Sequence, residues 1–297
     1  MKKIKVSKQR KQLKSTTRQC LIIAAPSLIA QFIFGWLPFC AAFIVGFQKF
    51  YLFKPCVFVG LNNFKSFFYH NPMTLIIFRN TFYYAFLSIA LTFIIPIIIA
   101  ILLMEMKKSV IRVMMLLWFI PVASMAGIII WKYFYNVNYG LFNGILASLG
   151  LPLLRWLNDP HLAMLCLVLP GLVMYGPGLI YIASLQSIPE ELYEAAELEG
   201  AKFWQKVWHI TLPRLRPIIA MMMLLAIIGK LQIFNEPYVM TGGGPSYATY
   251  TVVMHIFSTA FQSMQFGKAT ALSLILFVII MILIIIQRRY FKENIDV

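Results

Sequence analysis

Residues 187–217 read SIPEELYEAAELEGAKFWQKVWHITLPRLRP, a charged island between two long apolar runs. Five of the ten carboxylates in the chain (Glu190, Glu191, Glu194, Glu197 and Glu199) fall in one stretch of ten residues. The apolar runs around the island carry almost none. A protein that gathers its acids in one loop between membrane spans presents that loop to a soluble partner.

Working outward, residues 19–48, 80–104, 113–131, 160–189, 217–229 and 269–287 contain no Asp, Glu, Lys or Arg. Crossing a bilayer takes about 20 helical residues at roughly 1.5 Å rise each. Five windows are long enough, and the one starting at Pro217 reaches that length by tolerating Lys230 and ending near Glu236. With 61% hydrophobic and 12% charged residues over 297 positions, the fold class expected is an all-α integral membrane protein. Its six spans are placed near 22–46, 79–104, 113–133, 161–184, 216–237 and 268–287. An open sheet would leave backbone groups unsatisfied in hydrocarbon, and the alternating ten-residue pattern of a β-barrel is absent.

The net charge of +16 belongs to topology rather than to nucleic acid. With both termini cytoplasmic, 18 of the 26 Lys and Arg lie on inner segments, eight of them before Cys20, as the positive-inside rule requires. The first apolar run is too long for the core of a signal peptide, so it is read as a retained helix. Cys20, Cys40, Cys56 and Cys166 show no metal or redox spacing, and no H-E-x-x-H occurs; no metal site is expected. Three parts follow: a basic tail (1–18), a first helix with its outer loop (19–78), and a core of five spans (79–297) that includes the 187–217 loop.

Within that loop, Ser187-Ile188-Pro189-Glu190 spells a capping box with Pro at the helical start. Gly200 supplies a stop. A second short helix is expected over 201–209, ended by Pro213, with Pro217 opening the next span. The product is a helix–Gly–helix elbow. Ala195, Ala196 and Gly200 permit close backbone approach by a partner, and Glu194 offers a charge to an Arg. A merely solvated amphipathic loop is the competing reading of these residues.

The spelling Glu194-Ala195-Ala196, Gly200, Ile210-x-Leu212-Pro213 resembles the EAA loop of ABC importer permeases. Further matches look like the carbohydrate-uptake branch of that family: Phe58-Val59-Gly60-Leu61-x-Asn63-Phe64, Asn80-Thr81, Ile130-Trp131-Lys132, Tyr139-Gly140-x-x-Asn143, Asn158-Asp159-Pro160, Leu185-Gln186-x-Ile188-Pro189 and Thr241-Gly242-Gly243-Gly244-Pro245. The resemblance covers nearly everything from residue 20 to 290 and leaves the basic tail outside. The resemblance implies a multi-pass subunit of a bacterial or archaeal cell membrane. Its partners would be a second, similar permease, an ABC ATPase dimer docked under the EAA loops, and an extracytoplasmic solute-binding protein. By the same resemblance Glu194 meets an Arg on the ATPase and Gly200 makes the bend in its docking cleft. Ile210, Leu212 and Pro213 then fix the elbow to the membrane core. The sequence has no G-x-x-x-x-G-K-[ST] loop, so the chain is expected to be no enzyme and to bind no cofactor, with ATP and Mg handled by the partner ATPase.

For the substrate pathway the candidates are Tyr175, Gly176 and Tyr181 in the fourth span and Lys230, Gln232, Asn235 and Glu236 in the fifth. Ionisable groups inside a span are costly and mark function, and the Gly176-Pro177-Gly178 break would free carbonyls toward a cavity. Lys230 and Glu236 can equally pair or snorkel at the outer end. The function expected is alternating-access import of a sugar or oligosaccharide. Glycerol phosphate is the alternative solute, disfavoured because the spans offer only Lys230 to a phosphate. A self-sufficient secondary transporter is the alternative mechanism; it lacks paired intramembrane acids and an inverted repeat.

Overall fold

The computed structural model describes residues 19–51, 54–70, 72–119, 125–173 and 178–292. Of the described residues, 77% are helical. Among the described residues, four helical segments are long and apolar enough to cross a membrane. They are α1 (Gln19–Gly46), α3 (Met73–Met104), the segment Phe203–Met240, and Phe266–Phe291 within α14 (Phe266–Lys292). The third and fourth expected spans contain undescribed residues. What is described of them is α4 (Lys108–Phe119) with α5 (Met125–Phe134), and α7 (Ala163–Leu172) with α8 (Gly178–Gln186).

One departure from an all-helical chain lies in the first loop. After α1 the chain forms an antiparallel hairpin, β1 (Gln48–Tyr51) with β2 (Lys54–Phe58), before the short amphipathic α2 (Asn62–His70). The sequence predicts only an outer loop there. The β-branched and aromatic content of 48–58 suits paired strands, and Asn63 ties them down. Its amide Nδ2 donates to Gly46 O and Gln48 O, both at 2.9 Å.

The helices pack as a bundle with three buried clusters. At one end, Phe93, Ile97 and Ala100 of α3 meet Tyr181, Ile182 and Leu185 of α8, together with Ile188, Val207 and Leu215. At the other end, Tyr84, Ile128, Leu167, Val168, Ile233 and Met240 form a second cluster. A third joins Ile77 and Ala85 of α3 to Leu272, Leu276 and Ile280 of α14. Because lipid is as apolar as these side chains, close packing rather than water exclusion holds such contacts. Small residues serve that end: a Cβ on Gly46 would lie 2.8 Å from Leu274 Cδ1. The first helix is peripheral and leans on α14 through Phe39 and Phe43 against the Phe277 ring.

Two local expectations are corrected. Ser187 does not cap the next helix; its hydroxyl donates to Ser184 O at 2.7 Å, and α9 (Glu190–Leu198) starts after an extended Pro189. Nor does a separate helix end at Pro213. Instead α10 (Phe203–Lys206) runs through a π turn (Val207–Thr211) into α11 (Leu212–Leu231), with Pro213 in its first turn and Pro217 inside it. In the widened turn the Leu212 amide reaches back five residues to Val207 O. That relieves the helix where the Pro213 ring would otherwise clash with the carbonyl four residues earlier.

Candidate functional site

The elbow is built by two arms around Gly200. Glu190 and Glu191 occupy the first turn of α9, where the helix dipole favours acids. The helix closes with Gly200 at φ +79°, its amide bonded to Glu197 O at 2.9 Å and the Ala201 amide to Ala196 O at 2.9 Å. This pair of bonds is the Schellman closure. Glycine is required because an L side chain pays for positive φ. The second arm begins where the Lys202 amide donates to Gln205 Oε1 at 2.6 Å.

Two cross-links hold the arms together. Lys206 Nζ lies 2.7 Å from Glu197 Oε1, and the Tyr193 hydroxyl is 3.1 Å from Thr211 Oγ1. Sequence reading missed both; opposite charges on either side of a stop glycine were the available signal. Buried Ile188, Val207 and Leu215 root the elbow in the core, and half-buried Ile210 and Leu212 pack against the same cluster. Pro213 is exposed.

The opposite face of the elbow is bare. Glu194, Ala195 and Gly200 are exposed and Ala196 is half-buried. Around them Leu198 is 91% exposed, Trp204 62% and Trp208 66%. A large leucine and two indoles in the open, rimmed by glutamates, form an apolar patch of the kind that marks an interaction surface.

At the other end of the bundle, Lys230 and Glu236 come together. They line a cavity of about 140 Å³ with Tyr84, Trp131, Val168 and Gly171. Between the two charges the helix breaks at residues 232–234 and restarts as α12 (Asn235–Met240). The freed Ile233 carbonyl accepts from Thr251 Oγ1 at 3.1 Å, the polar company such a break requires. Lys132 Nζ donates to Val239 O at 2.7 Å and so ties the end of α5 to α12. Gln232 and Asn235 are exposed beside the break. Tyr181 is fully buried in the other cluster and does not line this cavity. Tyr175, Gly176 and Pro177 lie outside the described residues. Trp131 and Tyr84 were not among the candidates; Trp131 stood in a quoted motif but carried no assigned role.

The remaining quoted motifs are staples. Asn80 Nδ2 donates to Tyr247 O and Tyr250 O at 2.7 and 3.0 Å, across more than 160 residues of chain. Thr81 accepts from the Val252 amide at 3.0 Å and so starts α13 (Val252–Gln262), a short helix between the fifth and sixth expected spans. Asn143, in α6 (Leu141–Ser148), holds Val137 O, Leu154 O, the Leu154 amide and the Trp156 indole within 2.8–3.2 Å. Thr241 meets Thr249 at 2.7 Å in a turn where Gly242 and Gly243 take φ +61° and +91°.

Residues 106–293 match the family of binding-protein-dependent transport system inner membrane components. The chain belongs to that family. It is accordingly a multi-pass subunit of a cell membrane. It is 32% identical over 272 residues to the trehalose/maltose transport system permease protein of Thermococcus litoralis, covering 88% of this chain and 89% of that one. The arabinooligosaccharides transport system permease protein of Bacillus subtilis is 30% identical over 274 residues, 90% and 87% of the two chains. A crystal structure of a bacterial ABC transporter for alginate import shares the fold, with TM-score 0.80 at 22% identity over 95% of this chain and 99% of that one.

Proposed function

We propose that this chain is a permease subunit of an ATP-driven, binding-protein-dependent importer that moves a neutral sugar or oligosaccharide by alternating access. Six spans, both termini in the cytoplasm, and the 187–217 elbow between the fourth and fifth spans complete the reading. The basic tail 1–18, the segment 19–78 and the core 79–297 are its parts. One observation carries it: in a member of this family, the elbow is rooted in the bundle on one side and bare on the other. Glu194, Ala195, Leu198 and the two indoles are all exposed on the elbow. That is the surface an ATPase subunit would grip, with Gly200 at the bend and Ile210, Leu212 and Pro213 passing the motion to α11. ATP and Mg belong to the ATPase. A second permease and an extracytoplasmic solute-binding protein are the other partners; one alginate importer structure was solved with its periplasmic protein bound.

The relatives named for maltose, trehalose and arabinooligosaccharides support a sugar. So does the cavity at the helix break, which combines an aromatic face, Trp131, with one cation and one carboxylate. A phosphate ester such as glycerol phosphate would meet Glu236 beside Lys230, which disfavours that reading. A self-powered transporter would need paired acids in the bundle interior, and among the described residues Glu236 stands by itself there.

The test is a mild-detergent purification of the tagged chain followed by reconstitution. Co-purification of an ATPase and a second permease, and ATP-dependent accumulation of labelled sugar, are the expected results. A chain that purifies alone under crosslinking and transports without ATP would overturn the proposal.

A further inference from the structure

Behind the elbow lies a larger space than the one at the helix break. A cavity of about 660 Å³ separates α9 and α10 from the turn at 105–112 and the end of α8. That volume falls within the roughly 300–1,000 Å³ typical of small-ligand sites. Its walls come from the inward face of the elbow. Glu190, Tyr193 and Glu197, spaced three and four apart, line it, whereas Ala195 and Leu198 fall outside that stripe and are exposed. The cavity therefore adjoins the docking face along α9, with Glu194 one turn from Glu190 at the border and Ala195 and Leu198 beyond it.

The lining selects a class of ligand. Carboxylates of Glu105 and Glu190 and the amide of Gln186 supply acceptors, while Arg112 and Gln186 supply donors, over an apolar floor that includes Phe203. An anion would face three carboxylates against two cations, one of which, Lys206, is already bonded to Glu197 at 2.7 Å. An organic cation would meet a lining one charge negative but would offer the Arg112 guanidinium and the Gln186 amide no acceptor. An apolar ligand would desolvate Arg112 and Glu105 without pairing them, which is costly. A neutral polyhydroxyl molecule meets each of these demands, because its hydroxyls both donate and accept and its C–H face can lie on an aromatic ring.

We propose that this cavity is a regulatory site, entered from the elbow side, for a neutral sugar of mono- to disaccharide size. Occupancy props α9 and α10 away from the 105–112 turn and restrains the elbow. Sugar that has accumulated on that side thereby slows its own import. The inference rests on the sugar-import reading for the identity of the ligand, but not for the existence of the site.

The experiment places a thiol in the cavity wall. In a chain carrying Cys20→Ser, Cys40→Ser, Cys56→Ser and Cys166→Ala, Gln186→Cys is labelled with a soluble maleimide in nanodiscs, with maltose, trehalose, arabinobiose, glycerol 3-phosphate or spermidine at millimolar concentration. At least one of the three sugars should slow labelling about fivefold or more, glycerol 3-phosphate and spermidine should not, and adding Glu105→Gln with Arg112→Gln should remove the protection. No protection by any of the three sugars overturns the site. Equal protection by spermidine or glycerol 3-phosphate overturns the ligand class. Protection that survives Glu105→Gln with Arg112→Gln places the sugar elsewhere and also overturns the site. Equilibrium dialysis of radiolabelled disaccharide against the unmodified chain and the Glu105→Gln, Arg112→Gln variant gives the same decision if the thiol variant fails to fold. Labelling needs neither ATP nor partners. A complex that accumulates sugar but shows no protection therefore sinks the cavity alone, and a protected chain whose complex accumulates no sugar sinks the transport reading alone.

Discussion

The loop end and the elbow end of the molecule are held by different means. At the loop end, buried amides and hydroxyls reach across the sequence to backbone groups: Asn63 to Gly46 and Gln48, Asn80 to Tyr247 and Tyr250, Thr81 to Val252. Each bond fixes a loop against a helix. At the elbow the polar cross-links, Lys206–Glu197 and Tyr193–Thr211, stay within the elbow itself. They make it rigid without tying it to a neighbouring loop, and its attachment to the core is apolar. A directional bond to a buried carbonyl fixes position, whereas an apolar root resists separation but tolerates sliding. The loop end is built to keep its shape and the elbow to move as a unit.

The largest effect that would break this contrast is at Gly200. Gly200→Val forces a β-branched residue to φ +79°, a strain of about 1–3 kcal/mol, although the added Cβ itself would meet nothing within 4 Å. Uptake should fall by more than about tenfold while membrane insertion, followed by protease protection, stays intact. Normal uptake would deny the elbow its coupling role.

Next is Asn80→Ala. Leaving the carbonyls of Tyr247 and Tyr250 unpartnered should cost about 1–3 kcal/mol, seen as a lower unfolding midpoint in detergent. Hydrogen exchange should rise in residues 241–252 and not in 190–211; equal change at both ends would erase the distinction. A similar or smaller loss, about 1–3 kcal/mol, is expected for Gly267→Ala, since a Cβ there would lie 2.0 Å from Gln48 O. Gly229→Ala, with nothing within 4 Å of the new methyl, is the matched control and should be neutral or stabilising by up to about 1 kcal/mol.

The smallest effect belongs to the elbow clip. Its two side chains are 13% and 62% exposed, so Lys206→Met should cost less than about 1 kcal/mol. The visible change should be faster exchange confined to residues 190–211. A larger loss would mean that the clip supports the bundle as well as the elbow.

The charge-free windows made the long spans legible, because hydrocarbon penalises every charge over a known length. The stop at Gly200 was legible because one residue type suits positive φ. The capping at Ser187 was misread: a hydroxyl there can serve either the helix before it or the helix after it, and spacing does not say which. Pro213 was misread as a terminator because proline ends a regular α-helix, and only the register of hydrogen bonds reveals a π turn that accommodates it. The meeting of Lys230 and Glu236 in one cavity depends on a break at 232–234, for which Pro237 was the available signal, since its ring excludes a helical carbonyl at Ile233. The staples were visible as motifs, but their partners are up to 171 residues away, beyond any local pattern.

The π turn has a mechanical consequence. Because it lets the chain pass Pro213 without interruption, helix runs from Phe203 to Leu231, roughly 43 Å at about 1.5 Å per residue. One tip of this rod is seized by whatever grips the elbow, and the other ends two residues short of the carbonyl that Thr251 restrains. With its pivot at Leu215 the far arm is roughly 24 Å long, so a tilt of about five degrees sweeps its tip through roughly 2 Å. The lever that would open or shut the space around Lys230 and Glu236 is thus a single unbroken helix, with its fulcrum in the buried cluster around Leu215.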